Sequence, residues 1–169
     1  MSTTLNDQLI EASKHGDLEK VKELVENGAD IHAQDDHALC WSANNGQLDV
    51  VKYLVENGAD IHAYNDDALR LSAEKSNIDL VKYLVENGAN IHADNDYALR
   101  LSALHGHLNV VKYLVENGAN QSILFELWDN QKIVNVFIDI PDCNPDEKHT
   151  DELCSDSFKL PNKGNWHGR

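Results

Sequence analysis

The chain has 169 residues and 41 % hydrophobic content, which suits one domain or one short repeat array with an apolar core. With 29 Asp and Glu against 14 Lys and Arg the formal charge is −15, which repels phosphate backbones and anionic headgroups and disfavours nucleic acid and membrane partners. Cys40, Cys143 and Cys154 are too scattered for a disulfide framework, and the opening MSTTLNDQLIEASKHG has no basic stretch or long apolar run, so a cytoplasmic or nuclear protein with free thiols is expected.

A repeat organises the chain. VENGA occurs four times, its glycine falling at Gly28, Gly58, Gly88 and Gly118, a spacing of 30 residues. Units run from about 6 to 35, 36 to 65, 66 to 95 and 96 to 125. Each reads as two short helices and a turn. Asp36, Asp66 and Asp96 precede the first helix and are expected to cap its free amides. That helix carries Ala38, Leu39, Ser42 and Ala43 and their counterparts, small enough for neighbours to approach closely. After a bend at Gly46 or Gly106, a second helix opens on Asp17, Asp49, Asp79 or Asn109, which suits the positive end of its dipole. Its apolar stripe is Leu48, Val51, Leu54 and Val55, and it ends at the VENGA glycine, where a left-handed conformation is easy. Helices this short are marginal alone, so stacking must stabilise them, as a solenoid does.

Beyond 120 the pattern decays. Leu124, Leu127, Trp128, Ile133, Val134, Phe137 and Ile138 read as a degenerate closing repeat over 126–140, completing an array over 1–140. The segment 141–169 holds all the prolines and no helical periodicity, and is expected to be an extended or disordered tail.

GHLNVVKYLVENGANQ and GADIHA resemble the second-helix and turn signatures of the ankyrin-repeat family, and LIEASKHGDLEKVKELVENGADIHA is similar to an amino-terminal capping repeat of that family. The resemblance implies an all-α ankyrin-repeat solenoid and a non-catalytic module that binds a protein partner. The 30-residue units depart from the family's usual 33, and DDALR or DYALR stands where the family has Thr-Pro-Leu-His; in this they look like the arrays of giant DNA viruses. That likeness implies a viral or effector protein inside a host cell. Unit three also carries Ser76 and Asn77 in place of Gly46 and Gln47, so a bend needing positive φ would be strained there, with Asn77 as the residue expected to absorb it.

No constellation in the sequence argues for catalysis or a cofactor, and no metal is expected. His32, His62 and His92 recur one repeat apart, too far to share an ion, and are read as structural hydrogen-bonding residues at a position usually Asn in the family. The resemblance also admits their hydroxylation. Cys143, His149, Cys154 and His167 lack a close CxxC pair. Binding is expected where the units differ, in the turns and inner helices, at Trp41, Tyr64, Asp67, Arg70, Glu74, Tyr97, Arg100, Leu104 and His105, since Tyr, Trp and Arg dominate interface hot spots. The partner is expected to be a protein and the chain a monomer. The alternative is an adaptor whose tail recruits further machinery, such as a ubiquitin ligase.

Overall fold

The structure, a computed structural model, describes residues 3–129. The segment expected to complete a closing repeat past Asp129, the tail over 141–169 with its cysteines and histidines, and the side chain of Trp128 lie outside what is described. Among the described residues all regular structure is helical: α1 Leu5–His15, α2 Leu18–Glu26, α3 Ala33–Asn44, α4 Leu48–Glu56, α5 Ala63–Glu74, α6 Ile78–Glu86, α7 Ala93–Leu104, α8 Leu108–Glu116 and α9 Ser122–Asp129. The fold is an all-α repeat solenoid in which α1, α3, α5, α7 and α9 stack as an inner layer and α2, α4, α6 and α8 as an outer one.

The small faces of the inner helices allow this stacking. Ala38, Ala68 and Ala98, with Ala43, Ala73 and Ala103, are all within 1 % of complete burial. Ser42, Ser72 and Ser102 are buried beside them, each hydroxyl donating back to a carbonyl of its own helix at 2.7–3.0 Å. Leu39, Leu69 and Leu99 continue the core, joined from the outer helices by Leu24, Leu54, Leu84 and Leu114. Each such leucine contributes roughly 1.5–3 kcal/mol by leaving water. The outer stripe is centred on Val50, Val51 and Leu54, while Val55 is only partly covered. No described helix is long and apolar enough to cross a membrane.

The turns replace the missing three residues in an unexpected way. Gln34, Asp35 and Asp36 all lie at φ 54–59°, and Tyr64–Asp66 and Asp94–Asp96 repeat the pattern, so each of α3, α5 and α7 begins with a left-handed turn before its right-handed run. Most of these residues are Asp or Asn, the types that tolerate this region best. Unit five has no such turn, and α9 starts directly at Ser122, before the boundary expected at 126.

The left-handed turn also overturns the expected capping role of Asp36, Asp66 and Asp96. Their buried carboxylates accept from the backbone amide 24 residues on: Asp60 N at 2.8 Å, Asn90 N at 2.7 Å and Asn120 N at 2.9 Å. Asn6 does the same for Asp30 N at 2.9 Å. These four rungs tie successive turns together. The histidines join them, with Nδ1 of His32, His62 and His92 at 3.2, 3.0 and 3.0 Å from the same carboxylates. Helix capping by side chains is seen instead at Thr4, which forms a reciprocal box with Asp7, and at Asp17.

Candidate partner-binding strip

The residues that differ between units lie on the turns and the inner helices of units two to four, and several of them are exposed. Tyr64 is 46 % exposed, Trp41 and Tyr97 39 % each, and Leu104 44 %. Trp41 is thus a surface residue, with the Lys14 ammonium 5.5 Å from its ring. Tyr64 reaches back to the preceding unit, its hydroxyl donating to Gln34 O at 3.1 Å and its ring centroid 5.7 Å from that of His37. Tyr97 lies beside Arg70, whose guanidinium carbon is 5.7 Å from the ring centroid. The row His37, Tyr64, Arg70, Tyr97 therefore runs across units two to four.

The two arginines hold this row in place. Arg70 donates to Tyr64 O at 2.9 Å and Asp67 Oδ1 at 2.8 Å, and lies 3.6 Å from Asp94 Oδ2 in the next unit. Its side chain is only 19 % exposed. Burial pushes the Asp67 carboxyl above the usual range, and Arg70 opposes that shift. Arg100 donates to Asn95 O at 3.2 Å and to Glu126 Oε2 at 3.4 Å on α9. Both guanidiniums are occupied within the fold and bridge neighbouring units.

Glu74 pairs with Lys75 at 3.2 Å. His105 bonds Leu101 O through Nδ1 at 2.9 Å and stacks on His107, whose Nε2 is 2.7 Å from Glu74 O. Leu104, Glu74 and His105 thus sit at the far end of the inner helices, away from the turn row. A shallow groove of about 480 Å³ opens where the fourth turn meets α9, lined by Asp94, Asp96, Tyr97, Arg100, Ile123 and Glu126 among others.

Cys40 takes the place that Arg70 and Arg100 hold in later units, but it is buried, and burial pushes its thiol up to about 12. At neutral pH it stays protonated and unreactive. Among the described residues no three His, Cys, Asp or Glu side chains converge as a metal would require.

Sequence comparison between units located the exposed rings but gave no sign that the arginines would be consumed internally. Their partners Asp94 and Glu126 lie 24 and 26 residues away. On the outer face, Lys52 and Lys82 lie 5.8 and 6.0 Å from the rings of Tyr83 and Tyr113 in the next unit, rather than pairing with Glu56 and Glu86.

No curated protein matches the chain. A family model described as ankyrin repeats (3 copies) matches residues 9–95 and 65–125, well over half of the sequence. With thirty-residue helical pairs stacked in register on both sides of one core, the chain belongs to the ankyrin-repeat family.

Proposed function

We propose that this chain binds a protein partner through the turn edge and inner helices of units two to four. Ankyrin repeats are generally protein-interaction modules and typically non-catalytic. One observation supports the location: of the five large apolar side chains exposed among the described residues, Trp41, Tyr64, Tyr97 and Leu104 lie on the turns and inner helices of units two to four, and the fifth, Leu5, opens α1 of the first unit. Exposed aromatic rings on a rigid support are what interface hot spots use.

The test takes its substitutions from the protein itself, so that each side chain introduced already occupies an equivalent place. Trp41→Leu copies Leu71 and Leu101, Tyr64→Gln copies Gln34, and Tyr97→His copies His37. The triple variant is expected to keep its helicity and melting temperature while losing the proteins that the wild-type chain retains from cell extract. Retention of the same proteins by a folded triple variant would reject the strip.

A further inference from the structure

Asparagine precedes glycine at five places in the chain, Asn27, Asn45, Asn57, Asn87 and Asn117. The pairing is chemically labile, because a glycine has no side chain to shield its backbone nitrogen from the carboxamide carbon of the asparagine before it. Four of the five carboxamides are held. Nδ2 of Asn57, Asn87 and Asn117 donates to the carbonyls of Tyr53, Tyr83 and Tyr113 at 2.7, 2.7 and 2.8 Å, and Asn45 Nδ2 donates to Lys14 O at 3.2 Å. Asn27 closes α2 as its counterparts close α4, α6 and α8. It is exposed, and its carboxamide has no hydrogen-bond partner among the described residues.

The backbone does not make up for the missing bond. Gly28 N donates to Val25 O at 3.0 Å, and Gly58, Gly88 and Gly118 donate to Val55, Val85 and Val115 at 3.0–3.1 Å, so the attacking nitrogen must be freed from the same bond in all four units. Unit one has a neighbour on one side only, and an end unit of a linear array opens at lower cost than a central one. The free carboxamide and the terminal position therefore act together at Asn27.

We propose that Asn27 is a site of spontaneous deamidation, converting to aspartate and isoaspartate in the folded chain ahead of the other four asparagine–glycine pairs. The Gly28 nitrogen, its proton lost to hydroxide, bonds to Cγ of Asn27. The Cγ–Nδ2 bond then breaks, ammonia leaves with a proton taken from water, and a succinimide closes. Water opens the ring, giving aspartate where the new Cγ–N bond breaks and isoaspartate where the original peptide bond to Gly28 breaks. One water is consumed and one ammonia released, with no change of oxidation state. Either product adds a negative charge beside Glu26 at the carbonyl end of α2, where the helix dipole disfavours it. Isoaspartate also routes the main chain through a methylene between Leu24 and Asp30, whose amide is held by Asn6 Oδ1 at 2.9 Å. The modification thus loosens the link between the first unit and its turn.

Incubation of the full chain at mildly alkaline pH, followed by digestion and mass spectrometry of each asparagine–glycine peptide, tests this. The VENGA segments put the same residues on both sides of their four asparagines, so in denaturant all four are expected to react at one rate. In the folded chain Asn27 is expected to react about fivefold faster than Asn57, Asn87 or Asn117, the effect of one hydrogen bond that the others must break first. Equal rates in the folded chain, a faster reaction at any of the other four asparagines, or no reaction at Asn27 overturns the proposal. Aged protein enriched in isoaspartate at position 27 is expected to lose hydrogen-exchange protection in α1 and α2 while keeping it in α5; unchanged protection in the first unit would overturn the structural consequence.

Discussion

Ser76 occupies the bend position that glycine holds in the neighbouring units, and it adopts the same left-handed geometry, φ 62° against 75° for Gly46 and 73° for Gly106. A residue with a Cβ costs roughly 1–2 kcal/mol there, partly offset by the freedom glycine has when unfolded. Ser76→Gly is therefore expected to raise stability by about 1 kcal/mol in urea denaturation; an unchanged or lowered midpoint would show that the Ser76 side chain contributes something the geometry does not reveal. The missing glycine was legible from unit alignment alone. What Asn77 does was not: its own φ is −80°, so it absorbs none of the strain. Its carboxamide instead covers Gly46 of the preceding unit, where an added Cβ would stand 3.0 Å from Nδ2. Likewise Asp36, Asp66 and Asp96 look like helix caps in sequence because they precede a helix, and only the folded turn directs their carboxylates to amides 24 residues on.

At the level of elements, the helices and their glycine ends could be read from period and composition, because both are local properties. The left-handed turns could not, although the signal was present: units three residues short, with Asp and Asn concentrated where the hairpin should be. The outer helices show a similar limit. Lys and Glu four apart on one helix invite an i,i+4 pair, yet among the described residues only Lys112 meets its Glu, at 3.9 Å from Glu116. Lys52 and Lys82 lean over a tyrosine of the following unit instead. This arrangement links units, whereas an i,i+4 pair would only reinforce one helix. A double-mutant cycle between Lys82→Met and Tyr113→Leu is expected to give a coupling of about 0.5 kcal/mol, while the cycle between Lys82→Met and Glu86→Gln gives close to none. The reverse ranking would restore the intrahelical pair.

For the whole molecule, the four rungs matter more than any single helix. Stability in a linear array is a sum of unit stabilities and nearest-neighbour interfaces, so the consequence of losing a link depends on its position. Asp66 holds a central rung, its buried carboxylate accepting from Asn90 N and His62 Nδ1. Asp66→Ala leaves that amide without its acceptor, at a cost of roughly 1–3 kcal/mol, and cuts the array where each half must then rely on its own core. Asp66→Asn should retain most of the rung, because Asn6 already performs the same task with a neutral carboxamide. Asn6→Ala removes a rung of equal geometry at the end, where only α1 and α2 can fray. Hydrogen exchange should then separate the variants: Asp66→Ala loses protection in α5 and α7 before α1 and unfolds over a broader urea range, Asp66→Asn stays close to wild type, and Asn6→Ala loses protection in the first unit alone. Equal, sharp transitions for Asp66→Ala and Asn6→Ala would mean that the turns are coupled through the core and that the rungs merely accompany it.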